Sequence, residues 1–188
     1  MGRWEPDARE RLVRAALDLF GEQGYDNTAV AQIAERAGLT KSTFFRHFRD
    51  KREVLFGGQD QLAEVLTTGI ACAPEQAEPL AAVEAALVAV GTWFTDEHRA
   101  HGPQRQAVIE DHLELRERSA LKMVGFGVAM KDALERRGVA ELAAAVAAEL
   151  GVLAFERAYG TWVTTTGDWS DVVRRSVAEV RTAAATLG

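Results

Sequence analysis

Cysteine is almost absent from this chain. Cys72 is the single one in 188 residues, so neither an intrachain disulfide framework nor a thiolate zinc module can be built from it. Proline is scarce, at 4 residues, and nowhere is there a run of the roughly 18 apolar residues that a membrane span needs. Residues 1–9 are polar, carry acids and lack an apolar segment, so they do not read as a secretory leader. A reducing cytoplasm is the expected compartment. Positive charge is in deficit, 22 Lys and Arg against 28 Asp and Glu for a net −6, which at first argues against a nucleic-acid partner. The remainder is ordinary: 47% hydrophobic and 27% charged residues exclude a disordered tail or a fibre. They suit one compact domain, or a small domain joined to a larger one.

The charge is unevenly placed. Residues 1–56 are close to neutral at +1, and residues 57–188 carry −7. Between Arg36 and Arg52 stand six bases (Arg36, Lys41, Arg46, Arg49, Lys51, Arg52) and one acid, Asp50. A basic patch on an acidic molecule can meet phosphate at one face and repel it elsewhere, although a solvated charged face has the same composition.

Patterning is helical throughout, with no alternating apolar runs bounded by turns. Turn signals at Gly24, Gly38, Gly57-Gly58, residues 74–79, Gly102-Pro103, Gly138 and Gly167-Asp168 divide the chain into about nine helices. These are expected over 7–23, 29–37, 41–48, 51–70, 80–98, 104–116, 118–137, 139–165 and 170–187. The fold class is all-α: a three-helix N-terminal domain over residues 1–50, then an antiparallel helical bundle over 51–188. In the first helix Leu12, Ala16, Leu19 and Phe20 form one apolar stripe. Gly24 suits a left-handed helix end, Thr28 is a candidate N-cap for the second helix, Gly38 ends that helix, and Thr40 caps the third, with Gly38-Leu39-Thr40 as the turn between them. Short helices joined in this way have the form of a helix-turn-helix.

On the third helix Phe44 and Phe48 share a face and, with Leu39, can anchor it in a small core. Lys41, Ser42, Phe45, Arg46 and Arg49 fall on the remaining surface. The first turn of a recognition helix is the part that reaches base edges, where Lys41 can donate to guanine and Ser42 can approach either base type. Thr28 and Lys51 stand near helix N-termini, which favour phosphate, and Arg46, His47 and Arg49 can face the opposite groove wall. Lys41 is therefore expected to carry base preference and Lys51 general affinity.

The stretch 11–55 resembles the DNA-binding domain of the tetracycline-repressor (TetR) family of transcriptional regulators. The resemblance rests on Ala15-Ala16 with Leu19-Phe20, Gly24-Tyr25, Thr28, Ile33-Ala34, Ala37-Gly38-Leu39-Thr40, Thr43, His47-Phe48 and Lys51. It implies a homodimer that binds a palindromic operator in double-stranded DNA and leaves it when a small-molecule effector enters the C-terminal domain; it implies no cofactor and no metal. The DNA-facing residues it implies are Thr28, Thr40, Lys41, Ser42, Thr43, Phe45, Arg46, His47 and Lys51. Two positions depart from the family pattern. Phe45 stands where a tyrosine hydroxyl usually meets phosphate; that contact is lost, or replaced by an apolar contact with sugar or a thymine methyl, and Arg46 beside it can supply the charge. Ala29 replaces the second threonine of a pair, which places the capping on Thr28.

The later helices scatter large residues at helical spacings: Trp93, Phe94, Met123, Phe126, Met130, Phe155, Tyr159 and Trp162. These can wall an apolar effector pocket, or pack as ordinary core. Val146, Leu150, Leu153 and Arg157 recur at a spacing suited to a partner helix, and the last two helices resemble the family's dimer-forming pair. One helix-turn-helix covers too few base pairs to be selective, which itself favours a dimer. His98, His101 and His112, with Glu97 and Asp111, offer an alternative from another class, a small helical metal-dependent enzyme. A DNA binder without an effector is a further alternative. Gly102-Pro103 is expected to break the helix beside His101, and Cys72 reads as incidental.

Overall fold

A computed structural model describes residues 8–57 and 59–187; residues 1–7, the larger part of the polar start 1–9 considered as a leader, lie outside the described residues, as do Gly58 and Gly188. Ten α-helices occur among them: α1 (Ala8–Gln23), α2 (Val30–Arg36), α3 (Lys41–His47), α4 (Glu53–Phe56), α5 (Gln59–Cys72), α6 (Pro79–Ala89), α7 (Asp96–Glu110), α8 (Leu113–Arg136), α9 (Glu141–Thr164) and α10 (Trp169–Ala185). A 3-10 turn, Val90–Trp93, follows α6, and no strand is present among the described residues. The class is all-α, as the patterning implies. No helix is long and apolar enough to cross a membrane among the described residues.

The chain divides into two compact units. The first comprises Met1–Gly57 and His101–Ser119, the second Gly58–Ala100 and Ala120–Gly188. In the first, Leu12, Ala16, Leu19 and Phe20 of α1 are buried with Ile33 and Ala34 of α2 and Phe44 of α3. Val108 and Leu115 of the returning segment complete that core, and the Gln104 side-chain amide donates to the Leu17 carbonyl at 2.7 Å. Gly24 and Gly38 take φ of 86° and 67°, the left-handed conformation their positions after α1 and α2 require.

The second unit is a bundle in which α5 packs on α6, α6 on α9, and α9 on α10. Small residues set the close approaches. A Cβ on Gly69 would stand 2.6 Å from the Ala86 Cα, and one on Gly151 would stand 2.5 Å from Val83 Cγ1.

Four helix boundaries differ from the pattern-based expectation. The helix expected over 51–70 is two, because Gly57 takes an extended ψ of 145° at the end of α4. The helix expected over 80–98 ends at Val90–Trp93, where Gly91 lies against the Trp169 indole so closely that a Cβ would come within 2.5 Å of it. Gly102-Pro103 does not break the chain: α7 runs through Pro103. Pro103 has no N–H to return to the preceding turn; in the first unit the neighbouring Gln104 donates to the Leu17 carbonyl. The actual break is at Asp111-His112, which makes α8 start earlier than 118.

Candidate nucleic-acid interface

Helix α3 begins at a Thr40 N-cap whose hydroxyl accepts from the Thr43 N–H at 3.1 Å and lies 3.0 Å from the Thr43 hydroxyl. Satisfying an otherwise orphaned donor fixes where the helix starts, and this agrees with the capping read from the sequence. Thr40→Ala is expected to cost about 1 kcal/mol of unfolding free energy, measured by chemical denaturation. Thr43 is partly buried beside the cap.

Rotation about the α3 axis is set by Phe44, which is 0% exposed, and by Phe48, also buried, their rings 5.5 Å apart. With that side inward, Lys41, Ser42, Phe45 and Arg46 are all exposed. Phe45 is 49% exposed, its ring edge-on to Phe44, with the Lys41 ammonium 5.8 Å from its centroid. His47 closes the helix half-buried beside Phe48.

The basic run is less available than its composition suggests. Arg36 forms a two-bond pair with Glu22, at 2.9 and 2.7 Å, and that hydrogen bond holds the Glu22 carboxyl below its ordinary range. Arg52 donates twice to Asp50, at 3.0 and 2.7 Å, which raises its own pKa. Of the six bases in this run, Lys41, Arg46 and Arg49 stay outward and outside any ion pair.

Thr28 and Lys51 require correction. The N-cap of α2 is Ala29, not Thr28. Ala29 has no side-chain acceptor, and the Gln32 side chain instead accepts from the Ala29 N–H at 2.8 Å. Thr28 is 2% exposed, and its hydroxyl donates to the Gly24 carbonyl at 2.8 Å. Lys51 lies ahead of the Arg52 N-cap of α4, and its ammonium is turned into the protein. It donates to the Tyr25 carbonyl at 2.6 Å, to Thr28 at 3.3 Å and to Asp26 at 3.4 Å, and sits 4.1 Å from the Tyr25 ring centroid. Tyr25 is itself buried, which pushes its phenol pKa upward, with the Glu114 charge adding to the shift.

Residues 12–57 match the family model described as bacterial regulatory proteins, tetR family. That match places the helix-turn-helix stretch, about a quarter of the chain, with the DNA-binding domain of TetR-family regulators. The transcriptional regulator TcmR of Streptomyces glaucescens is 40% identical over 82 residues, 44% of this chain and 36% of that protein. The chain thus spans well under half the length of the curated relatives it matches. Beyond the N-terminal unit the likeness is one of fold. A transcriptional regulator from Aquifex aeolicus VF5 aligns over 94% of this chain and 99% of its own at TM-score 0.57 and 15% identity. Thermus thermophilus FadR, a repressor solved with lauroyl-CoA, aligns over 92% of each chain at TM-score 0.51 and 20% identity. All three are described as transcriptional regulators or repressors.

In the second unit, Phe94 lies 5.1 Å from Trp162, 5.6 Å from Tyr159 and 6.4 Å from Phe155, and Phe126 lies 5.8 Å from Phe155. Met130 is buried beside Gly151, and Met123 packs on the same core. The pattern missed Trp169, which stands 4.5 Å from Phe94 and donates its indole N–H to the Leu87 carbonyl at 2.8 Å. Only its aromatic character could have flagged it. Trp93 is not among these ring contacts and is 39% exposed. On α9, Val146 and Leu153 are 51% and 46% exposed, Leu150 is half-buried, and Arg157 pairs with Glu179 at 2.8 Å.

The histidines of the enzyme alternative have separate engagements. His98 lies 2.8 Å from the Thr95 hydroxyl, and His112 meets the Val108 carbonyl at 2.9 Å and the Tyr25 ring edge-on at 4.9 Å. Among the described residues no three His, Cys, Asp or Glu side chains gather as a metal site.

Proposed function

We propose that this chain is a TetR-family transcriptional repressor that binds a palindromic operator in duplex DNA as a homodimer, with residues 1–50 as reading head and 51–188 serving effector binding and dimerisation. The observation that carries the reading is the outward face of α3: Lys41, Ser42, Phe45 and Arg46 exposed on a helix anchored by Phe44 and started by Thr40. Its first turn presents a cation and a small hydroxyl, the chemistry that reads base edges in the major groove. Arg46 and Arg49 supply charge for the phosphates on either side.

Dimerisation is supported by apolar side chains left to water. Leu142, Val146 and Leu153 of α9 are exposed, as are Leu121, Val124 and Val128 of α8. A second copy that covers them removes that cost and places two reading heads on one duplex. Effector binding is supported by the aromatic residues gathered around Phe94 and Phe155, and by the acyl ligand of the T. thermophilus repressor; an apolar or acyl molecule is the class proposed. By linkage, such a ligand lowers DNA affinity only as far as it prefers the conformer whose heads mismatch the operator, about 1–3 kcal/mol.

Selection of bound duplexes from a random pool tests the reading. The expected product is a palindrome with half-sites one helical turn, about 34 Å, apart; the absence of any preferred sequence overturns it. Lys41→Ala is expected to keep the melting temperature and lose about tenfold in discrimination at one base pair of each half-site, measured by fluorescence anisotropy on operator variants.

A further inference from the structure

We infer that Phe45 is a specificity-determining residue that seats its ring against the 5-methyl group of a thymine in the major groove, an inference that rests on the DNA-binding reading above. Phe45 is 49% exposed and shares its face of α3 with Lys41 and Ser42, four and three residues earlier, so it stands on the side of the base-reading first turn. Its ring is held by the edge contact with Phe44 at 5.5 Å and by the Lys41 ammonium at 5.8 Å. The side chain has no donor or acceptor. It therefore makes no hydrogen bond to phosphate or to a base edge, and binding gains from it only if it buries apolar surface.

The ring is flanked by the exposed cations Lys41 and Arg46. That setting excludes an apolar partner surface and fits a polyanion with an isolated apolar group inside it. In the major groove that group is the thymine methyl, which lies beside the donors and acceptors that Lys41 and Ser42 are placed to read. A sugar is the competing contact, and it differs in one respect: it does not change when a base methyl is removed.

The test uses the full chain and the operator obtained by selection. Thymines of both half-sites are replaced one position at a time by deoxyuridine, which deletes the methyl and keeps the pairing. At one position wild-type affinity is expected to fall about fourfold per half-site, roughly fifteenfold when both are changed, the value of one buried methyl-sized group at each. Phe45→Ala is expected to melt as wild type does, because the ring is half in water, and to bind thymine and uracil operators equally at that position. The inference is overturned if wild type is indifferent to every such replacement, if Phe45→Ala keeps the thymine-to-uracil ratio, or if the selected half-site has no thymine. Failure to select any operator overturns the DNA-binding reading itself, a result distinct from a recognised operator that ignores its methyl groups.

Discussion

Arg137→Met is expected to lower unfolding free energy by about 4 kcal/mol, read from the midpoint of chemical denaturation, with a fall of roughly 10 °C in melting temperature. The Arg137 guanidinium donates to four main-chain carbonyls: Ile70 at 3.0 Å, Ala71 at 3.3 Å, Ala73 at 2.9 Å and Pro74 at 2.7 Å. The last carbonyls of a helix have no partner within it, and α5 ends at Cys72 without a basic residue in its own last turn. Arg137, which immediately follows α8, supplies the donors from 63 to 67 residues away. Methionine keeps the apolar stem and removes all of them. Arg137→Lys separates charge from geometry: a compact ammonium cannot fork over four acceptors, so it is expected to recover about half the loss. A change below about 1 kcal/mol in the methionine variant would show that water replaces the arginine without cost.

What the sequence discloses about this molecule follows the range of the interactions involved. Gly24, Gly38 and Thr40 were legible because their roles are local, a positive φ in two cases and a bond to an N–H three residues on in the third. Phe44 and Phe48 were legible by their four-residue spacing. The end of α6 in the Val90–Trp93 turn was not, since the packing of Gly91 there against the Trp169 indole is a contact across the bundle that no local pattern announces. Neither was the continuity of α7 through Pro103, beside which Gln104 reaches the Leu17 carbonyl in a distant part of the chain. The return of residues 101–119 to the first unit has no local signature either: Val108 and Leu115 are ordinary apolar residues until the core that receives them is known. Thr28 shows the limit from the other side. A threonine ahead of a helix reads as a cap, yet the Thr28 hydroxyl turns back to donate to the Gly24 carbonyl, and α2 starts one residue later, at an Ala29 N-cap whose own N–H is met by the Gln32 side chain.

Charge is where counting residues misleads most. Six bases between Arg36 and Arg52 suggest a broad anion-binding face, but Arg36 is matched by Glu22, Arg52 by Asp50 and Lys51 by main-chain oxygens. What faces outward is narrower and better placed: Lys41 and Arg46 on α3, with Arg49 just beyond it. A net charge of −6 and a cationic outward edge on α3 are then compatible, since charges beyond a Debye length of about 8 Å are largely screened.

Lys51→Met separates the two roles open to this residue, phosphate contact and internal clamp. The clamp joins the turn after α3 to the segment 25–28 that leads into α2, through a charged donor 2.6 Å from the Tyr25 carbonyl and over the Tyr25 ring. Removing it leaves main-chain oxygens short of a donor and a buried aromatic without its cation, a loss of about 3 kcal/mol. The first unit is then expected to melt earlier. DNA affinity at a temperature near the new midpoint should collapse for specific and random duplexes alike, since α2 and α3 lose their mutual placement. The discriminating measurement is made well below that midpoint, where the variant is folded. If Lys51 meets phosphate, the slope of log affinity against log salt falls by about one; if the ammonium stays on Tyr25, Asp26 and Thr28, the slope is unchanged. The geometry requires the second result. A reduced slope with full thermal stability would mean that Lys51 leaves those carbonyls when DNA arrives, and the clamp would then be a property of the free protein alone.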